Sequence, residues 1–135
     1  MKRIFTSLLF IFCLTVTNVF SQAVIKFEKS THDFGTFPEE KSLTTIFKFT
    51  NTGDQPLVIS QVVTSCGCTV ADYTKTKIEP GKGGQIKVTY IGKGKPKGQF
   101  RKNIIVRSNA SNATARIWIT DNKRLTYNLK LKRYD

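Results

Sequence analysis

The chain has 135 residues, of which 22 are Lys or Arg and 9 are Asp or Glu, and its formal net charge is +13. This length is enough for one domain and too short for two. The excess of positive charge favours solubility and anionic partners, but it does not indicate a fold.

The first segment of the chain has the pattern of a secretory signal. Residues 2–3 are both basic, residues 4–20 are mostly apolar, and Val19 and Ser21 suit the −3 and −1 positions of a cleavage site. The alternative is a membrane anchor, but the apolar stretch is marginal against the ~20 residues that a spanning helix needs. No second apolar stretch follows it in the sequence. We therefore predict a removable signal and export to the periplasm or the cell surface.

The domain boundaries follow from this signal. We predict a signal peptide over residues 1–21, cleaved after Ser21 or Ala23, and a single domain over residues 22–135 with no transmembrane segment. Removal of the signal leaves 20 basic against 9 acidic residues, a net charge of +11. Export argues against nucleic acid as the partner of this basic domain. An envelope protein, an acidic glycan or a lipid head group fits better.

Beyond the signal, apolar and polar residues alternate with a period of two, and no stretch shows helical periodicity. Clusters of Gly, Pro, Asn and Asp separate the alternating stretches at roughly ten-residue spacing. The predicted strands are, in chain order, residues 24–27, 33–35, 43–50, 57–63, 85–90, 100–107, 114–119 and 125–132. This pattern predicts an all-β sandwich of seven to eight antiparallel strands. Its predicted inward-facing residues are Phe47, Phe49, Ile86, Val88, Tyr90, Ile104 and Val106.

Four short motifs carry a resemblance to a known family. They are, in chain order, His-Asp-Phe-Gly-Thr from residue 32, Phe-Lys-Phe-Thr-Asn-Thr-Gly-Asp from residue 47, Ser-Cys-Gly-Cys-Thr from residue 65 and Ile-Glu-Pro-Gly-Lys from residue 78. In this order the chain resembles, from about residue 25 to residue 108, the bacterial family called domain of unknown function 1573. Such domains are similar to the immunoglobulin-like domains of the Hydin and major-sperm-protein group. The resemblance implies an immunoglobulin-like sandwich and an exported location, and it implies no reaction.

The inventory of catalytic residues is nearly empty. His32 is the only histidine, and the sequence motifs of serine hydrolases, zinc proteases and phosphate-binding loops are absent. The sequence therefore lacks most of the residues that a catalytic triad or a histidine-rich metal site would need. We interpret the chain as a non-enzymatic binding or structural module of the cell envelope that contacts a protein or an anionic polymer.

Cys66-Gly67-Cys68 is the one constellation with clear chemical content, and three alternatives for it stay open. A disulfide between the two cysteines would close a very small ring. A reduced pair could instead hold Cu(I), which accepts two nearly linear sulfur ligands, whereas zinc needs four ligands. The third alternative is a structural feature at a strand end that binds nothing. A small copper-binding or thiol-redox envelope protein is thus the alternative function, and no cofactor other than copper is expected.

A second candidate site is a basic loop between two predicted strands. Its cations are Lys93, Lys95, Lys97, Arg101 and Lys102, with Gly92, Gly94, Pro96 and Gly98 between them. Such a loop can present both cations and exposed backbone N–H groups to one anion. The alternative is a solvated turn, because charges in loops usually face water.

The alternation around Phe49 gives a first prediction. If Phe49 faces inward, Phe49→Ala should lower the free energy of unfolding by about 3–5 kcal/mol, because a large buried side chain is lost and a cavity remains. Chemical denaturation measures this difference, and far-UV circular dichroism of the parent protein should show β-structure without helix. A change within experimental error would place Phe49 at the surface.

Overall fold

The computed structural model describes residues 21–37, 41–95 and 98–121 of the chain. The predicted signal, apart from Ser21, and the last predicted strand (residues 125–132) lie outside these residues. The described residues form strands and turns without a helix, so none of them belongs to a helix that could cross a membrane.

Eight strands make up the described part of the chain. In chain order they are β1 (Ile25–Phe27), β2 (Thr31–Asp33), β3 (Ser42–Asn51), β4 (Ile59–Thr64), β5 (Thr69–Tyr73), β6 (Gly83–Ile91), β7 (Arg101–Ser108) and β8 (Thr114–Thr120). The long strands alternate as predicted: Ile86, Val88 and Tyr90 of β6 are buried, and the residues between them are not. The predicted all-β class is confirmed.

The strands form two four-stranded sheets that enclose the core. Sheet A has the order β1-β3-β6-β5, and sheet B has the order β2-β8-β7-β4. The prediction that all strands are antiparallel is wrong at one pair, because β2 runs parallel to β8. Only residues 28–30 separate β1 from β2, so the chain passes from the edge of sheet A to the edge of sheet B without a hairpin.

The core lies between the two sheets. The seven residues predicted to face inward are all buried: Phe47, Phe49, Ile86, Val88 and Tyr90 from sheet A, and Ile104 and Val106 from sheet B. Phe49 is 1% exposed, and the Phe27 ring packs against it with centroids 5.5 Å apart. Burial of each large apolar side chain contributes roughly 1.5–3 kcal/mol. The inward faces of the strands therefore supply most of the stability of the fold.

The structure adds one strand that the sequence did not predict. β5 pairs antiparallel with β6 and forms an edge of sheet A. It begins directly after the cysteine motif and contains Asp72, a residue type that is depleted in strands. Its alternation is short for that reason, and pairing with β6 is what makes the segment extended.

Six of the seven predicted strands within the described residues begin one or two residues away from the predicted position. The strand predicted from residue 57 begins at Ile59, because Leu57 pairs instead with Ile78 in an isolated bridge. The strand predicted at residues 33–35 is β2, two residues earlier, and Gly35 has a φ of 64° that ends the extended conformation.

Asn51 is a fully buried polar residue at the end of β3. Its Oδ1 accepts hydrogen bonds from the backbone N–H groups of Val24 (3.3 Å) and Gly53 (3.0 Å). Its Nδ2 donates to the backbone carbonyls of Gln55 (2.7 Å) and Ile78 (3.0 Å). One carboxamide thus uses all its hydrogen-bonding positions to join three chain segments. The predicted strand ended at residue 50, whereas β3 includes Asn51.

Two glycines permit the close packing around Asn51 and Phe49. A Cβ at Gly53 would collide with the backbone oxygen of Gln22, so only glycine lets the N-terminal segment lie against this turn. A Cβ at Gly84 would come within 2.5 Å of Phe49 Cζ. These two glycines are therefore requirements of packing, because well-packed interiors have no room for even one additional carbon.

We expect Asn51→Ala to lower the free energy of unfolding by at least about 3 kcal/mol, because each buried backbone group left without a partner costs about 1–3 kcal/mol. Asn112→Ala is the matched control, since the Asn112 amide also bonds backbone, at the N–H (3.2 Å) and the carbonyl (2.8 Å) of Ile25. Asn112 is exposed, so water replaces its amide and the loss should be about 1 kcal/mol. Equal losses in urea denaturation would contradict a special role for Asn51.

Candidate functional site

Residues 65–68 form the turn that connects β4, at one edge of sheet B, to β5, at one edge of sheet A. Ser65 N donates a hydrogen bond to Asn103 O on β7 (3.2 Å). Ile91 N, at the end of β6, donates to Cys68 O (2.8 Å). Backbone hydrogen bonds to both sheets therefore hold the two ends of this cysteine turn, independently of the sulfur atoms.

Cys66 and Cys68 are joined by a disulfide, with their Cα atoms 5.3 Å apart. Cys68 is buried, Cys66 is half-buried and Gly67 between them is exposed. The Thr69 hydroxyl lies 3.7 Å from Sγ of Cys66 and 3.9 Å from Sγ of Cys68. The two sulfurs thus meet in a turn rather than on one face of an extended strand, and a single hydroxyl is within reach of both.

A metal ion at the cysteines would have to rely on the two sulfurs. Within residues 21–37, 41–95 and 98–121, no group of three or more His, Cys, Asp or Glu side chains could hold an ion. His32 lies on β2, the edge of sheet B opposite β4, with its ring centroid 4.8 Å from that of Phe34. The copper alternative stays a prediction, and it requires a reduced, two-sulfur site.

The structure divides the predicted basic loop. Lys93 and Lys95 are exposed in the turn after β6, where Lys95 N donates to Gly92 O (3.1 Å). Lys97 lies outside the described residues. Arg101 and Lys102 are neighbours on β7, so their side chains point to opposite faces of sheet B. An anion site built from all five cations stays a prediction. Arg101 and Lys102 point away from each other, so they would approach such an anion from opposite faces of the sheet.

Arg101 belongs instead to an arrangement on the outer face of sheet B. Its guanidinium carbon lies 4.2 Å from the centre of the Trp118 ring, which makes a cation–π contact between β7 and β8. Arg107 and Arg116 are exposed on the same two strands and on the same face. We call this surface the basic face, and it comprises Arg101, Arg107, Arg116, Trp118, Ile105 and Val63.

The strand register of sheet B builds the basic face. Ile105 lies opposite Arg116 on β8 and opposite Val63 on β4. Arg107 Nη1 donates a hydrogen bond to Gln61 Oε1 (3.3 Å). Arg107 and Arg116 were not predicted as site residues, because alternation shows which face a residue occupies but not which residues of another strand lie beside it. The signal that could have found them is the outward position of all three arginines on two adjacent predicted strands.

The turn between β7 and β8 secures that register. Asn109 Oδ1 accepts a hydrogen bond from Val58 N (2.8 Å), and its Nδ2 donates to Pro56 O (3.0 Å). Ser108 N donates to Ala113 O across the turn (3.0 Å). The asparagine side chain thus anchors the turn to the segment that leads into β4, so β4, β7 and β8 are held in fixed alignment.

Tyr90 is a titratable residue at the end of the core, and its ring stacks on Phe100 with centroids 4.2 Å apart. Burial, and secondarily the negative charge of Asp121, raise the pKa of Tyr90 above its ordinary value of 10.0. At physiological pH this side chain therefore stays a neutral phenol.

The family of the chain is shown by its sequence. A model of the family described as "Protein of unknown function (DUF1573)" matches residues 25–122. The chain belongs to this family. The match includes β8 and so extends beyond residue 108, where the resemblance seen in the motifs had ended. No curated protein sequence matches this DUF1573 chain.

Solved structures are similar to the DUF1573 chain in fold. A protein of unknown function from Porphyromonas gingivalis W83 is 18% identical, with a TM-score of 0.68 over 81% of this chain and 50% of that one. The ASH / PapD-like domain 7 of human CEP192 is 10% identical, with a TM-score of 0.60 over 80% of this chain and 89% of that domain. The periplasmic chaperone SfaE is 9% identical, with a TM-score of 0.58 over 73% and 57%.

These likenesses show the fold alone, a sandwich of the immunoglobulin-like and PapD-like kind. The chain spans about half the length of the Porphyromonas gingivalis protein. The predicted immunoglobulin-like architecture is confirmed, and the DUF1573 family itself has no established function.

We expect replacement of both cysteines, Cys66→Ser with Cys68→Ser, to cost little stability. The disulfide closes a loop with a sequence separation of 2. Closure of so short a loop removes chain entropy worth only about 1.6 kcal/mol, against about 3 kcal/mol for a 15-residue loop. Thermal unfolding of the double variant and the oxidised parent measures the difference. A loss above about 4 kcal/mol would show instead that the bond holds the two sheets together.

Proposed function

We propose that this chain is an exported, non-enzymatic binding module of the bacterial cell envelope, and that its basic face binds an acidic segment of an envelope protein. The observation that carries the proposal is the contact of Arg101 with Trp118, with Arg107 and Arg116 beside them on one sheet face. Trp and Arg are enriched among the residues that contribute most of the binding energy at protein interfaces.

The charge of sheet B supports an acidic partner. The outer face of sheet B carries the basic residues Arg101, Arg107 and Arg116 and, within its four strands, a single acidic residue, Asp33, on the β2 edge. A face with an excess of charge of one sign attracts a partner of the opposite sign and raises the association rate. Salt weakens this effect, because charges are screened over about 8 Å at physiological ionic strength.

Two arginines of the basic face are already ordered by their neighbours. Arg101 stacks on Trp118, and Arg107 bonds the side chain of Gln61. A side chain that is ordered before binding loses less conformational entropy when the partner arrives. A stacked guanidinium also keeps its planar N–H groups available for a carboxylate.

The apolar residues of the basic face favour a peptide over a glycan. Ile105 and Val63 are half-buried and lie opposite each other, and Ile105 also lies opposite Arg116. Aliphatic side chains of a protein partner can cover this apolar area, whereas the hydroxyl-rich surface of an acidic glycan cannot bury it as well.

Export rests on the predicted signal, and the likeness to the periplasmic chaperone SfaE supports it. Of the two predicted cleavage positions, the contacts of the N-terminal segment favour the one after Ser21. Ala23 is 2% exposed, and its carbonyl accepts a hydrogen bond from Ser111 N (2.9 Å). Gln22 O accepts one from Asp54 N (3.0 Å). Cleavage after Ala23 would remove both contacts.

The test compares two triple variants that remove the same charge. Arg101, Arg107 and Arg116 are changed together to Gln, and the control changes Lys26, Lys48 and Lys87 to Gln on the exposed side of sheet A. The probe is a synthetic peptide rich in Glu and Leu, followed by fluorescence anisotropy at low and physiological salt. We expect the arginine variant to bind the peptide at least about tenfold more weakly, because it loses three charge contacts worth roughly 0.5 kcal/mol each.

The affinity of the lysine variant for the peptide should fall less than about threefold, because only long-range attraction is reduced. Equal losses in the two variants would mean that the peptide responds to net charge alone, and the basic face would not be the site. Tighter binding of heparin than of the peptide, with the same arginine dependence, would identify the partner as an acidic glycan.

The second candidate function is copper binding through Cys66 and Cys68, and the observation that favours it is that both sulfurs lie in one turn with Cys66 half-exposed. Metal analysis of the reduced protein, purified from the periplasm, distinguishes the two functions. Stoichiometric copper that is lost in the double Ser variant would support this candidate, and its absence would exclude it.

A further inference from the structure

The Cys66–Cys68 disulfide connects two residues of one turn and joins no separate strands. Backbone hydrogen bonds from Ser65 to Asn103 and from Ile91 to Cys68 already fix both ends of the turn. Disulfides gain most of their stabilising effect by closing long loops, and this one encloses a single residue. Holding the two sheets together therefore does not explain it.

The two cysteine residues differ in exposure. Cys68 is 6% exposed and belongs to the core, whereas Cys66 is half-buried and packs against the core from its edge. In thiol–disulfide exchange a thiolate attacks one sulfur while the other sulfur leaves. A thiolate from solvent can reach Cys66, and the fold shields Cys68. Access thus makes Cys66 the attacked sulfur and Cys68 the leaving sulfur.

Thr69 is placed to stabilise the leaving sulfur. Thr69 is 4% exposed, and its hydroxyl lies 3.7 Å from Sγ of Cys66 and 3.9 Å from Sγ of Cys68, within reach of either sulfur. Its backbone N–H donates to Cys66 O (3.2 Å), which fixes its position in the turn. When Cys68 leaves as a thiolate, the hydroxyl can donate a hydrogen bond to it, and a better stabilised thiolate leaves faster. Thr69 is therefore a positioning residue for the exchange.

Gly67 leaves the approach to the disulfide open. It is exposed, a Cβ there would meet no atom within 4 Å, and its φ is outside the left-handed region. Neither packing nor backbone conformation within the described residues therefore requires glycine at this position. The missing side chain leaves space for the backbone of a second protein beside the two sulfurs.

We propose that Cys66 and Cys68 form a thiol–disulfide exchange site that accepts electrons from a pair of cysteine thiols in another exported protein. The first thiolate of that protein attacks Sγ of Cys66, the Cys66–Cys68 bond breaks, and Cys68 leaves as a thiolate that takes up a proton. The second thiolate attacks the partner sulfur of this mixed disulfide, and Cys66 leaves. Two electrons pass to this chain, and the partner gains a disulfide. This activity is independent of the basic face.

The first experiment maps the attacked sulfur on the full exported chain, with oxidised glutathione as the probe. Cys68→Ser leaves the accessible Cys66, and Cys66→Ser leaves the buried Cys68. We expect the mixed disulfide to form at least about tenfold faster in Cys68→Ser, because exchange depends on access to the sulfur. Intact mass measures the rate, and circular dichroism confirms that both variants are folded. Equal rates in two folded variants would overturn the assignment of Cys66.

The second experiment reduces the parent disulfide with dithiothreitol under native conditions. The expected result is complete reduction while the far-UV spectrum and the Trp118 fluorescence stay unchanged. Thr69→Val, which removes the hydroxyl, should slow this reduction about threefold or more, and Thr69→Ser should restore the parent rate. Equal rates in Thr69→Val and Thr69→Ser would overturn the role of Thr69. A disulfide that opens only after the protein unfolds would overturn the site.

Discussion

A buried carboxamide is the constraint on which much of the fold depends. Burial of the Asn51 amide would cost several kcal/mol if its polar atoms lacked partners, so all the segments it bonds must be in place together. The Asn51 backbone bonds a further segment, since Asn51 N donates to Lys82 O (2.9 Å) and Asn51 O accepts from Gly81 N (2.8 Å). Asn51 also pairs with Ile25 on β1. This single position thus sets where β1, β3 and the turn before β6 meet.

Much of the fold could be predicted from the sequence, because burial follows the period of two. Phe47, Phe49 and Val106 were assigned to the core from alternation alone, and each is buried. Alternation shows which face of a sheet a residue occupies, but it does not show which residues of the adjacent strands lie beside it. The parallel pairing of β2 with β8 and the contact of Arg101 with Trp118 depend on which strands lie side by side. Those features therefore required the three-dimensional structure.

The candidate sites were predictable to different degrees for a related reason. Cys66 and Cys68 are close in sequence, so their meeting could be anticipated, although the burial of Cys68 could not. The basic face combines residues from three strands, so it has no local signature. The cysteine turn and the basic face adjoin. Asn103 lies opposite Trp118, and the Asn103 carbonyl accepts the hydrogen bond from Ser65 at the start of the cysteine turn.

The Asn112 side chain has a consequence for assembly between copies of the chain. β1 is an edge strand, and the edges of sheets expose backbone groups with which a strand from another molecule can pair. At Ile25 both of these groups are already bonded to the Asn112 carboxamide. The amide takes the position that a neighbouring strand would occupy and mimics its peptide group. A small polar side chain in a surface turn thereby blocks edge-to-edge aggregation at this end of sheet A.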